Sequence, residues 1–434
     1  MTYEKSRQSP AVRRRLRHIS FLLLLAFSVA LLDRMDANAS GDPFLLNDYA
    51  LHLLQKGETE KALDQLQKAY SLFPYDETLK KNLAEVFTVV GQKRMASGRY
   101  EEAVASFDAA RELYPDNQRY SILRGIALYS SRQYDAAIVE LERARGLGGD
   151  TPDLLYFLGR AHYDSGNLQA ALEFWDKALE LDPGQKEISK AVAKARRELA
   201  VEGRMAQDYS SRFVVSYEGD VRSNLADQVL DTLETAYNRV GSDFSFFPDT
   251  RIPVILYTKT DYRKVTNSPD WSGGLYDGKI RLPIGGASEM NKELNSLLFH
   301  EYTHVVVHLI TSGNCPVWLN EGLAELEGHR ESGYQLNELA RAVKQGNLLP
   351  LSTLEHSFSA LSTREASLAY QQSYSLVNYM VSTYGWYKVK DILLALGTGK
   401  KISAAISTAL DDLGVDYPSV YQEWLSAAQR EFAR

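Results

Sequence analysis

His300, Glu301 and His304 stand together in the stretch LLFHEYTHVVVHLI, residues 297–310. Two imidazoles lie one helical turn apart, with a carboxylate beside the first. A helix that is apolar on most sides is normally buried, and burying three polar side chains in it is costly unless something satisfies them. A bound cation would do so. Residues four apart share a helix face, so His300 and His304 can present two ring nitrogens to one ion near the ~2.1 Å that zinc prefers. The helical period turns Glu301 by about 100° from His300, which puts its carboxylate beside the ion rather than on it. That is the place for a base acting on a polarised water. His308 would lie ~12 Å from His300 along the axis, too far to share the ion. It reads as a hydrogen-bonded core or helix-end histidine, and His329 and His356 are left unassigned.

These side chains need a framework. RFVVSYEG (212–219) and RIPVILYT (251–258) are rich in β-branched and aromatic residues and predict strands, with a helix over 224–240 between them. GGLYDGKIRLPIGG (273–286) reads as a hairpin or edge strand bounded by glycines. The histidine helix is expected from about Asn291 to Thr311, stopped by Gly313 and Pro316, and the remainder reads as mainly helical. Residues 208–434 therefore form an α+β domain with the two histidines on its central helix.

Downstream, with sixteen residues between His304 and Glu321, comes WLNEGLAELEG (318–328). WLNEGLAE closely resembles the Trp-Leu-Asn-Glu-Gly-Phe-Ala stretch of gluzincin zinc peptidases. The resemblance implies that Glu321 is the third metal ligand, although the spacing is slightly shorter than in aminopeptidase N-type members. It also implies that Glu325, one turn later, orients a ligand histidine from behind, fixing its tautomer and raising its basicity. LAYQQSYSLVNYMVSTYG (368–385) is similar to the segment that follows the zinc motif in peptidase MA domains. Tyr370, and after it Tyr374, is the expected donor to an oxyanion. Aminopeptidase N-type enzymes hold the substrate's amino group with a glutamate in a Gly-any-Met-Glu-Asn motif, whereas Gly273, Gly274, Leu275, Tyr276 and Asp277 offer none. The expectation is an endopeptidase with its peptide laid along the strand edge.

The front half repeats every 34 residues in registers starting at 84, 118 and 152. Gly91, Gly125 and Gly159 align, as do Ala103, Ala137 and Ala171, then Phe107, Leu141 and Trp175, then Ala110, Ala144 and Ala178. Pro115, Gly149 and Pro183 end the units. A weaker unit with Ala50, Ala62, Leu66, Ala69 and Pro74 precedes them, offset by seven residues, which predicts a longer helix at the join. The pattern resembles the tetratricopeptide repeat, a pair of antiparallel helices held close by small residues. About four repeats over 43–183 imply a solenoid whose concave face takes a peptide or partner protein. Residues 184–207 are expected to be a capping helix and linker.

Six basic residues precede residue 18 against Glu4 alone; then ISFLLLLAFSVALL (19–32) runs without a charge to a small-residue site at Ala37-Asn38-Ala39. The apolar run is shorter than the ~20 residues of a spanning helix, so 1–39 reads as a cleaved signal peptide, the alternative being an uncleaved anchor. The protein is then exported, periplasmic or secreted, and touches a membrane only as the anchored form. Removal of residues 1–39, with seven basic and three acidic side chains, turns 49 basic and 56 acidic residues into 42 and 53, a net charge of −11, so nucleic acid is not an expected partner, since phosphate binding needs a basic face. Cys315 is the only cysteine, so there is no internal disulfide framework. The expected whole is a multidomain chain, an all-α solenoid followed by a gluzincin-like zinc (Zn2+) peptidase whose array recruits a protein substrate or partner. The alternative is an interaction scaffold whose peptidase-like domain is inactive.

Overall fold

The computed structural model describes residues 41–218, 223–266, 274–284, 287 and 289–432. The proposed leader, 1–39, lies outside them, as does Gly273. Among the described residues no helix is long and apolar enough to cross a membrane. Contacts divide the chain into two compact units between Leu199 and Ala200.

The first unit is a run of helix pairs: α1 (Pro43–Gln55) with α2 (Thr59–Leu72), α3 (Glu77–Ala96) with α4 (Tyr100–Leu113), α5 (Gln118–Ser130) with α6 (Tyr134–Gly148), and α7 (Pro152–Asp164) with α8 (Leu168–Leu181). The sequence repeat is a repeat of contacts. A Cβ added at Gly91 would fall 2.6 Å from the Phe107 ring, at Gly125 2.6 Å from Leu141, and at Gly159 2.2 Å from Trp175. Each aligned glycine is the seat of its aligned bulky residue, so no side chain fits there. The aligned alanines are all fully buried. The predicted longer helix is α3, with 20 residues against 13 in α5. The turn inside each pair needs a left-handed residue, supplied by Gly98 (φ 74°) and Gly166 (φ 92°) and, at the equivalent place in the middle unit, by Arg132 (φ 64°).

A ninth helix, α9 (Lys186–Glu202), closes the array with Ile188, Val192 and Ala195 against the helices before it. Its last turn belongs to the second unit: Val201 packs with Ile255, Tyr257, Tyr262 and Val265. The capping helix expected from the sequence thus has a polar outer face only along part of its length.

The second unit is built on a five-stranded sheet in the order β1-β2-β3-β5-β4. The strands are β1 (Ala206–Tyr209), β2 (Phe213–Tyr217), β3 (Ile252–Tyr257), β4 (Leu275–Tyr276) and β5 (Ile280–Pro283). β2, β3 and β5 are parallel; the two edges, β1 and β4, run antiparallel to their neighbours. Alternation along the strands gives each face its own partners. Phe213, Val215, Val254, Leu256, Ile280 and Leu282 face the large core with α10 (Ser223–Phe244) and α12 (Lys292–Thr311). Ile255 and Tyr257 face the other way, toward α11 (Lys259–Thr266) and the end of α9.

On that second face Arg281, 1% exposed, donates from Nη1 to Glu202 at 2.6 Å and from Nε to Asp277 at 3.0 Å. Burial alone would raise the Glu202 carboxyl, but Arg281 and Lys279 outweigh it and hold the group below the ordinary carboxylate value. This ionic knot pins the β4–β5 hairpin, the edge nearest α12. The rest is helical: α13 (Val317–Gly328), α14 (Asn337–Gln345), α15 (Leu351–Leu354), α16 (Thr363–Tyr384), α17 (Trp386–Gly397), α18 (Ile402–Ala409) and α19 (Tyr417–Phe432).

Candidate metal centre

α12 begins where the sequence placed it. The Asn291 side chain accepts a hydrogen bond from the Leu294 amide at 2.8 Å, capping the first turn. The helix ends at Ser312 (φ 51°) and Gly313 (φ 75°), whose left-handed conformations turn the chain back into α13. That short return brings Glu321 against the histidine face of α12. Trp318, fully buried and stacked on Tyr417 with ring centroids 6.2 Å apart, seats the first turn of α13. Gly322 lets α13 meet α16: a Cβ there would fall 2.5 Å from the Ser373 carbonyl oxygen.

The three ligand atoms converge. His300 Nε2 and His304 Nε2 are 3.1 Å apart, and Glu321 Oε2 is 3.7 Å from the first and 3.5 Å from the second. Donors ~2.0–2.1 Å from one tetrahedral zinc ion would stand ~3.4 Å from one another, so the observed triangle has the size of such a coordination shell. Among the described residues His300, His304 and Glu321 form a group of the right type and closeness to hold a metal ion. Glu321 is 2% exposed and its Oε2 has no hydrogen-bond partner. A buried carboxylate oxygen left in that state beside two imidazoles fits a cation.

The electrostatics agree with the geometry. Burial and the neighbouring His304 push His300 well below its ordinary value. Burial also opposes charge on His304, but the carboxylates of Glu321 and Glu301 prevail and raise it to about 9. Glu301, 1% exposed, is raised to about 7, mainly by burial, with Glu321 and Glu325 adding to the shift and His304 opposing it. A carboxyl poised there can both take and return a proton.

Glu325 reaches behind the ligands. Its Oε1 is 3.5 Å from His300 Nδ1, on the side of the ring away from the metal position, and its Oε2 is 3.2 Å from His329 Nε2. His329 stacks on Tyr334 with centroids 4.4 Å apart, and the Tyr334 hydroxyl is pushed up first by burial and then by the Glu325 carboxylate. His329 therefore belongs to this network, whereas His308 packs edge-on to Tyr276 and His356 bonds the Ser352 carbonyl, both away from it. Cys315 is half-buried against the core.

A cavity of about 520 Å³ opens onto the centre, lined by Gly274, Ser296, His300, Glu301, Glu325 and Tyr370 among others. The two tyrosines part here. Tyr370 lines the cavity, its hydroxyl pushed up by burial and by the Glu321, Glu325 and Glu301 carboxylates. Tyr374 instead packs edge-on to Tyr334, 5.0 Å between centroids, and is not part of the lining. Gly274, one residue before β4, meets Glu301 so closely that an added Cβ would fall 2.3 Å from Glu301 Oε1. A glycine beside a strand often marks such close backbone approach, which was the signal for it in the sequence. His329 and Tyr334 had no such signal. Gly274→Ala is expected to displace the Glu301 carboxylate and lower kcat about tenfold or more with the metal retained. Measured kcat, KM and metal content, alone and combined with the shorter Glu301→Asp, check this; strictly multiplicative effects of the two changes would contradict it.

A sheet with an antiparallel edge strand, a two-histidine helix beneath it and a glutamate from the next helix define a peptidase-like unit. Residues 248–428 match the model of the Peptidase MA superfamily, whose members are typically metal-dependent, and residues 91–147 and 122–186 match the tetratricopeptide repeat model. The chain thus carries a Peptidase MA superfamily domain following a tetratricopeptide array. Similar solved structures include the first TPR of Spaghetti (RPAP3) bound to HSP90 peptide SRMEEVD, at 23% identity and TM-score 0.26, covering 27% of this chain and 93% of that one. Another is YrrB, a TPR protein with an unusual peptide-binding site, at 24% identity and TM-score 0.30, covering 36% of this chain and 78% of that one. A third is MamA, at 21% identity and TM-score 0.31, covering 35% and 85%. No curated protein matches the chain.

Proposed function

We propose that this chain is an exported zinc-dependent peptidase, of endopeptidase type, whose tetratricopeptide array recruits a protein substrate or partner. One observation carries the reading: the triangle of His300, His304 and Glu321 donor atoms, with buried Glu301 beside it at the floor of an open cavity. A zinc ion held there would supply Lewis-acid polarisation and an acidified water. The remaining work falls to the chain. Glu301 as carboxylate takes a proton from the attacking water as its oxygen bonds to the scissile carbon, and returns a proton to the departing amide nitrogen as the C–N bond breaks. The Tyr370 hydroxyl donates to the developing oxyanion. The outermost strand β4 accepts an extended peptide, and the lack of a glutamate over 273–277 leaves no counterpart of the residue that holds a free amino terminus in aminopeptidase N-type enzymes. Glu325 holds His300 in the tautomer that presents Nε2. Export rests on the composition of residues 1–39.

The test compares purified wild type with His304→Ala. Wild type should hold about one equivalent of zinc and cleave unfolded casein, with a chelator stopping cleavage. His304→Ala should lose both, since a two-donor remnant lacks the three protein ligands of a catalytic zinc site. Zinc-loaded, folded wild type that leaves casein and other unstructured chains intact would rule the peptidase reading out.

A further inference from the structure

The cavity at His300 continues past the metal centre. A second cavity, of about 410 Å³, shares Lys292, Ser296, Gly328 and Ser332 with the first, so the two form one groove. Lys292, Ser296 and His300 are four residues apart and lie along one face of α12. Gly328 keeps the groove's side low: a Cβ there would meet the Ser296 carbonyl oxygen at 2.9 Å and His300 Cβ at 3.3 Å. At 1.5 Å per residue Lys292 sits ~12 Å along the helix from His300. An extended peptide at ~3.3 Å per residue covers that distance in about three to four residues.

The charges along this groove are unequal in what they can still do. Arg239, which lines the far cavity, is committed: Nη1 bonds Glu331 at 2.9 Å, Nη2 bonds the Glu327 carbonyl at 2.6 Å, and the guanidinium lies 3.5 Å over the Phe299 ring. Glu331 is thereby matched. Lys292 is exposed and has no hydrogen bond or ion pair to another described residue, and it stands where the two cavities join. Among the described residues that line the first cavity, Glu293 is the only acidic side chain remote from the ligands. An uncommitted ammonium at a fixed distance from the scissile position is a selectivity element.

We infer that the groove selects peptides carrying a carboxylate three to four residues from the bond to be cut, paired to Lys292. This rests on the peptidase reading and adds the substrate class. The experiment uses the full zinc-loaded chain and quenched fluorescent peptides in which a single Glu is walked across four positions on each side of a common cleavage site, with Gln and Lys at the same places. One position three or four residues from the cut should show kcat/KM about 3–5-fold higher for Glu than for Gln, and lower again for Lys, with the preference collapsing at high salt. In Lys292→Glu, checked for folding by its zinc content, the Glu-to-Lys ratio at that position should invert. A flat scan, or a Glu preference that Lys292→Glu leaves unchanged, overturns this inference while cleavage itself upholds the peptidase reading. Cleavage of none of the peptides overturns both.

Discussion

Glu301→Gln is expected to keep its zinc and to lose hydrolysis by about 10²–10⁴-fold in kcat, the range a positioned general base contributes. The substitution is isosteric, so the packing of Glu301 against Gly274 survives it, and Glu301 is not one of the three converging ligand atoms. What disappears is the ability to take a proton. Zinc content and casein cleavage on the same preparation separate this result from loss of the site; full activity in Glu301→Gln would exclude the role given to the residue. The wild-type pH profile carries the same signature. Glu301 must be deprotonated to act, and burial holds it up to about 7. A bound cation favours the charged form, so kcat/KM should rise with pH through an acid limb at or below 7 and fall as pH drops through it. In the glutamine variant that limb should be missing from the residual rate.

How much of this could be read from the chain follows from the range over which each feature is encoded. His300, Glu301 and His304 are set by one helical period, and the pairs Gly91–Phe107, Gly125–Leu141 and Gly159–Trp175 by contacts inside a single repeat. Local rules suffice for both. Glu321 was reached through resemblance, and its distances of 3.5 and 3.7 Å to the two rings bring it to the centre. Glu325 behind His300 was reached through resemblance and His329 lies one helical turn after it, but Tyr334 was not legible, because its place depends on how the chain turns after α13. Tyr370 and Tyr374 lie four apart on α16 and look equivalent in sequence; only the packing of Tyr334 against Tyr374 separates them. β1 was invisible for another reason: Ala206–Tyr209 is a mostly exposed edge strand of four residues without an apolar pattern. The double duty of α9 was hidden as well, since one helix carries apolar residues for two different cores.

The centre needs its two helices at a fixed separation from α16, and Gly322 sets that separation. It follows the ligand Glu321 directly, and it faces the Ser373 carbonyl and Val377, three and seven residues after Tyr370 on α16. Any side chain at 322 must push α13 and α16 apart, because carbonyl oxygen on a packed helix cannot yield as a flexible side chain would. Overpacking of this kind costs about 1–3 kcal/mol. In Gly322→Ala a helix-propensity gain of ~1 kcal/mol offsets part of it; in Gly322→Val the β-branch removes most of that gain and adds volume. Gly322→Val is therefore expected to lower Tm by several degrees, at ~2–4 °C per kcal/mol for a unit of this size. It should also weaken zinc binding tenfold or more, since displacement of α13 carries Glu321 away from both rings. Thermal unfolding and metal titration of the two variants check the order wild type, alanine, valine. Unchanged zinc affinity in a folded valine variant would mean that α13 does not depend on α16 for the placing of its ligand.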